Sequence, residues 1–112
     1  MEYSCKEIWE LPQPKQLAMA IAAIPDAATL QSFLRDVMTE KEILEISARL
    51  EAARLLKNGA KYTEVIEETR LSSRTVARIS DWMKNGQGGY EAALKVIDAQ
   101  AHHAHIPPAR AE

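Results

Sequence analysis

The sequence is poor in cysteine, glycine and aromatic residues, and it has no long hydrophobic run. Its one cysteine excludes an internal disulfide and a zinc site built on several thiolates. Glycine is absent before Gly59, and β-branched residues never alternate over a long stretch, so the pattern favours helices over strands. No apolar run approaches the ~20 residues of a membrane-spanning helix. The first 15 residues lack an apolar signal core, and we therefore expect a cytoplasmic protein that does not enter a membrane.

Length and composition favour one compact helical domain with a locally basic surface. The chain has 112 residues, of which 46% are hydrophobic, so it can build a core. Its net charge of −2 argues against a protein that coats nucleic acid with its whole surface. Residues 54–84, however, contain seven basic and four acidic residues, a net charge of +3 that leaves −5 for the rest. This segment suits a phosphate-facing surface, unless its later arginines pair with the neighbouring Glu67 and Glu68.

Apolar residues recur at helical spacing in six segments that are separated by proline, glycine or capping residues. The predicted helices are residues 15–24, 27–38, 40–57, 62–68, 73–83 and 90–101. Asp26 is expected to cap the second helix, and Thr39 and Glu42 form a capping box before the third. Asn58 and Gly59 then predict the end of that third and longest helix. The prediction is an all-α fold.

The domain organisation follows from these segments. Residues 1–14 are expected to form an N-terminal arm or a first helical turn, residues 15–100 the helical domain, and residues 101–112 a disordered tail. Three histidines lie in that tail with no cysteine or carboxylate close in sequence, so a flexible polar tail is a better interpretation than a metal site: His102, His103 and His105. No pairing of a nucleophile with a base is visible, and the sequence predicts neither an enzyme nor a cofactor.

Residues 62–83 have the pattern of a helix-turn-helix. In that motif two short helices cross steeply over a small common core, and the start of the second helix is free to enter the DNA major groove. The expected core residues are Val65, Ile66, Leu71, Val76 and Ile79. Many such motifs have a small residue in the first helix and glycine at the turn, where this sequence has Ile66 and Arg70. Trp9 and Trp82 are expected to be packing anchors, and either Trp82 or Met83 is expected to face inward on the second helix.

The second helix of this motif carries the predicted DNA contacts. Arg74 and Arg78 are one helical turn apart, and arginine is the commonest reader of guanine in the major groove. The residues expected at phosphate, near the helix start, are Arg70, Ser72, Ser73 and Thr75. The alternative is a helical hairpin that docks a protein partner or serves only dimerisation, without sequence-specific DNA binding.

Residues 34–93 resemble the Trp repressor superfamily, and more closely its TrpR-like YerC/YecD branch than Trp repressor itself. The motifs that carry the resemblance are TEKEI at 39–43, RLEAA at 49–53, LKNG at 56–59, YTEVIEET at 62–69, SRTVARI at 73–79 and YEAAL at 90–94. The resemblance implies about six helices and an intertwined homodimer. It also implies a DNA-binding transcriptional regulator that acts as a repressor. Such a dimer would read a two-fold related operator in double-stranded DNA.

The resemblance also implies a position for a tryptophan co-repressor, and this sequence departs from it. In Trp repressor two arginines and a threonine hold the ligand, and Arg49, Arg78 and Thr39 match them. Ile79 replaces the glycine beside the indole ring, and Trp82 replaces a serine. Because a branched side chain would fill the space of the indole, we expect no tryptophan binding, or a different effector. A structural ion pair is the preferred role for Arg49.

Overall fold

The computed structural model describes the backbone of residues 5–104 and the side chains of residues 7–100. Within this part of the chain it contains seven α-helices and no strand, which confirms the all-α prediction. The helices are α1 (Cys5–Ile8), α2 (Pro12–Ala23), α3 (Ala27–Val37), α4 (Glu40–Lys57), α5 (Tyr62–Thr69), α6 (Ser73–Asn85) and α7 (Gly89–Ala104). Since α1 is a single turn, the six longer helices correspond to the six predicted segments. The chain forms two compact units, Met1–Glu45 and Ile46–Glu112.

The N-terminal unit has well-formed helix ends but buries no residue of α2 or α3. Helix α2 begins at Pro12, three residues earlier than predicted, because a proline in the first turn forfeits no intrahelical hydrogen bond. The predicted arm is therefore shorter than 1–14. Asp26 caps α3 by accepting the Thr29 N–H at 2.8 Å, and this hydrogen bond holds the pKa of Asp26 below its usual value.

Both predicted ends of α4 are confirmed. At its start the Thr39 N–H donates to Glu42 Oε1 at 2.9 Å, and the Glu42 N–H donates to Thr39 Oγ1 at 3.1 Å. At its end Gly59 has φ 91°, the left-handed conformation that favours glycine. The N–H groups of Gly59 and Ala60 donate back to the carbonyls of Leu56 and Leu55, which satisfies the last turn.

The core of the C-terminal unit draws buried side chains from α4, α5, α6 and α7. These are Ala52, Ala53, Val65, Val76, Ile79 and Leu94. Ile66 and Leu71 pack against this core, so the predicted core of the helix-turn-helix is confirmed. Met83, rather than Trp82, is the third residue of α6 that packs inward. Helix α6 therefore has one face fixed by packing and the opposite face turned away from the core.

The C-terminal end of the chain departs from the prediction. Helix α7 runs to Ala104, so the predicted tail at 101–112 cannot begin before residue 105. The cause is that alanine and glutamine continue the helix and no glycine or proline stops it before Pro107. Residues 105–112 and the three histidine side chains lie outside the described part. No helix of that described part is long and apolar enough to cross a membrane.

Candidate nucleic-acid interface

The turn between α5 and α6 is closed by local hydrogen bonds around an unusual residue. Arg70 ends α5 with φ 65°, and it is the one non-glycine residue with positive φ in the described chain. Its N–H donates to the Ile66 carbonyl at 2.8 Å. The Thr69 hydroxyl donates to the Val65 carbonyl at 2.7 Å and accepts the Leu71 N–H at 3.3 Å. The left-handed bend expected of a glycine turn is therefore present without glycine.

Ser72, one of the two serines predicted at the start of α6, is its N-cap. Its Oγ accepts the Thr75 N–H at 3.1 Å and donates to Thr75 Oγ1 at 3.0 Å. The hydroxyl of Ser72 is thus engaged within the helix. Ser73 is the first residue of α6 and is exposed, while Thr75 is half-buried. Of the two serine hydroxyls, that of Ser73 is the one left to face an outside molecule.

The outer face of α6 carries exposed arginines that form no ion pair with the described residues. Val76 and Ile79 are buried, whereas Arg74 and Arg78 lie exposed on the other side of the same helix. In the described part of the chain the ion pairs are Arg54 with Glu51 and Lys57 with Asp98. Neither Glu67 nor Glu68 pairs with an arginine of the turn or of α6. The structure therefore does not contain the ion pairs that were the alternative explanation of this basic segment.

These ion pairs determine which part of residues 54–84 carries unpaired positive charge. The two basic residues that α4 contributes to this segment are partnered: Glu51 holds Arg54 at 2.8 Å and raises its pKa, and Asp98 lies 3.8 Å from Lys57. Helix α5 has three acidic residues and no basic one. Residues 70–84, by contrast, contain four basic residues and one acidic residue, a net charge of +3. The basic surface is the turn together with α6, and the first helix of the motif has the opposite charge.

Two residues matched to an effector site, Thr39 and Arg49, have different local environments. Thr39, in the N-terminal unit, is engaged in the capping box of α4. Arg49 is exposed, and the ion pair preferred for it does not form with any carboxylate among the described residues. Its charge opposes the rise that partial burial causes in the pKa of Tyr90. Ile79 is completely buried.

Trp82 lies on the surface of α6, and Met83 takes the inward place that was expected of one or the other. Trp82 was predicted as a packing anchor, as was Trp9, but each is 46% exposed. The sequence did contain a signal for Trp82, because it follows Arg78 by four residues and Arg74 by eight. That spacing continues the row of exposed arginines along α6.

Comparisons with known proteins agree with this geometry. The model of the Trp repressor protein family matches residues 13–98. The chain belongs to the Trp repressor family. The uncharacterized protein YerC of Bacillus subtilis (strain 168) is 34% identical over 79 residues, which are 70% of this chain and 76% of that protein. The crystal structure of a TrpR-like protein from Eubacterium eligens ATCC 27750 has a TM-score of 0.75 and 28% identity, covering 82% of this chain and 95% of that one.

Family membership identifies the kind of motif that the helical hairpin of α5 and α6 forms. Trp repressor-like proteins are DNA-binding regulators, and α5 and α6 form the helix-turn-helix of this member. The resemblance to the YerC branch, first visible in the motifs, is confirmed by the identity to YerC. The basic surface of the turn and α6 therefore lies on the element through which a helix-turn-helix protein meets DNA.

Proposed function

We propose that this Trp repressor family member is a transcriptional regulator, acting as a repressor, that reads a two-fold related operator as a homodimer. One observation carries the proposal: Arg74 and Arg78 are exposed and unpaired, one turn apart, on a helix whose other face is fixed in the core. A guanidinium group in this setting can donate two hydrogen bonds to the O6 and N7 of guanine. Because no carboxylate of the described chain holds these groups, no internal ion pair has to break when DNA binds.

The remaining residues of this surface position the helix. Ser73 and the free N–H groups of the first turn of α6 are placed for a phosphate contact. Arg70 extends the positive charge into the turn, so we assign it a neighbouring phosphate. Ser72 and Thr75 support the site by holding the start of α6 through their mutual hydrogen bonds.

The homodimer is proposed because the N-terminal unit leaves apolar side chains uncovered. No residue of α2 or α3 is buried, although both helices carry large hydrophobic residues. A second copy of the chain would cover them and would also supply a second α6. Two recognition helices about 34 Å apart, related by a two-fold axis, would match successive major grooves.

The test begins with selection of bound sites from random duplex DNA, followed by anisotropy titrations at two salt concentrations. Arg74→Ala is expected to weaken binding to the selected site by about 1–3 kcal/mol and to relax the base preference at one position. Lys95→Ala is the matched control, since Lys95 is an exposed cation of α7 without an ion pair in the described chain. It should leave both affinity and preference unchanged.

Three other results have distinct meanings. An equal loss of affinity on selected and random DNA would make Arg74 a phosphate contact, with a correspondingly smaller dependence of binding on salt. Full retention of affinity by Arg74→Ala would contradict recognition through α6. Absence of binding to any duplex would favour the alternative of a helical protein-interaction or dimerisation module.

A further inference from the structure

Trp82 continues the row of exposed residues that begins with Arg74 and Arg78. The three are spaced by four residues, so each lies only about 40° round the helix from the one before it. At 1.5 Å per residue the row is about 12 Å long, which is close to the width of the major groove. A helix that presents Arg74 to the base edges would therefore bring its other end near a wall of the groove, where sugars and phosphates lie.

The surroundings of Trp82 leave its ring available for such a contact. The inward face of α6 is occupied by Ile79 and Met83, while the Trp82 side chain is 46% exposed. In the described part of the chain its indole N–H donates no hydrogen bond. Its backbone position is fixed, because the Trp82 carbonyl accepts the Gly86 N–H at 2.9 Å and ends the helix there.

The charges next to Trp82 are an arginine and, beyond it, a carboxylate. Asp81 lies about 100° round α6 from Trp82, and its Oδ1 accepts the Asn85 amide at 2.9 Å. Arg78 lies in the same direction but only about 40° from Trp82, so it stands between the ring and Asp81. A phosphate beside Trp82 would therefore meet the positive charge of Arg78 before the negative charge of Asp81.

We propose that Trp82 contacts the sugar–phosphate backbone of DNA beside the bases read by Arg74 and Arg78. The indole ring packs on a deoxyribose, and its N–H donates to a phosphate oxygen. This inference rests on the proposed function and adds an apolar, sequence-independent contact to it. Trp82 accordingly acts as a positioning residue: it fixes how deeply α6 enters the groove without reading a base.

The chain provides a matched pair of fluorophores for the test, because Trp9 and Trp82 are its two tryptophans and both are 46% exposed. In Trp9→Phe the emission reports on Trp82, and in Trp82→Phe it reports on Trp9. Each variant is titrated with the selected, fluorescently labelled duplex while anisotropy and acrylamide quenching of tryptophan are followed together. We expect DNA to lower the quenching constant of Trp82 by about twofold and to leave that of Trp9 unchanged.

A second measurement uses affinity. Trp82→Phe keeps an aromatic ring and loses the N–H, so it should weaken binding about fivefold, the effect of one hydrogen bond. The base preference from site selection should not change, since a backbone contact carries no sequence information. If Trp9→Phe lowers the helical content, the difference in quenching between the wild-type protein and Trp82→Phe gives the signal of Trp82 instead.

The possible outcomes separate this inference from the function on which it rests. A normal rise in anisotropy with unchanged quenching of Trp82 would overturn the contact and leave the DNA-binding regulator intact. Protection of Trp82 from quenching that depends on protein concentration and not on DNA would assign the ring to an interface between two copies. That result would also overturn the proposed DNA contact of Trp82. No rise in anisotropy with any duplex would overturn both proposals together.

Discussion

The two units of this chain differ in how far each is complete by itself. The C-terminal unit closes a core in which side chains from four helices are buried. In the N-terminal unit α2 and α3 have no buried residue, and several large hydrophobic side chains are exposed: Ile8, Trp9, Leu17, Met19, Val37 and Leu44. Their charges differ too, since residues 1–45 carry four basic and eight acidic residues and residues 46–112 carry ten and eight. The contrast fits the proposed function, which assigns DNA contact to the C-terminal unit and assembly to the N-terminal one.

The largest expected effect is loss of stability on truncating the core of the C-terminal unit. Ile79→Ala should lower the free energy of unfolding by about 2–5 kcal/mol, because it removes buried methyl groups and leaves a cavity. Denaturant titration at two protein concentrations measures it. Leu44→Ala is the control from the N-terminal unit, where the side chain is 68% exposed. If Leu44→Ala costs as much as Ile79→Ala at every protein concentration, the contrast between the units fails.

A smaller effect is expected from placing a charge on the exposed apolar surface of α2. Met19 is 64% exposed in the single chain, so Met19→Glu should be tolerated by a monomer. In the proposed homodimer it would bury a carboxylate, which should weaken association by about 2 kcal/mol or more. Sedimentation equilibrium measures this loss, and Gln13→Glu adds the same charge to the same helix as a control. Identical association of the wild-type protein and both variants would remove this surface from the dimer interface.

The smallest expected effect is an absence of heat on titration with L-tryptophan. Ile79 is completely buried, and it stands where the family resemblance places the glycine beside the indole ring. The C-terminal unit should therefore take up no tryptophan, and DNA affinity should not depend on it. Isothermal titration calorimetry checks this expectation. Binding in the micromolar range would show that the core opens for a ligand.

Features set by neighbouring residues were predictable from the sequence. The caps of α3 and α4, the stop at Gly59 and the core of the helix-turn-helix each depend on residue types within one or two turns. Side-chain exposure and charge pairing depend also on residues distant in sequence, and the packing role expected of Trp82 was not met for that reason. Lys57 meets Asp98 of a different helix, and the exposure of Trp82 is decided by which residues of α6 reach the core. The DNA contacts assigned to the turn and α6 remain predictions.

The backbone at Arg70 has a consequence for the selection acting on this chain. A left-handed conformation costs a residue with a Cβ about 1–2 kcal/mol, and glycine avoids this cost. Every arginine codon of the CGN type, and both of the AGR type, becomes a glycine codon by a single base change. The more relaxed residue is thus one mutational step away. At this turn the arginine adds a positive charge beside α6 at a cost in backbone strain that glycine would not carry.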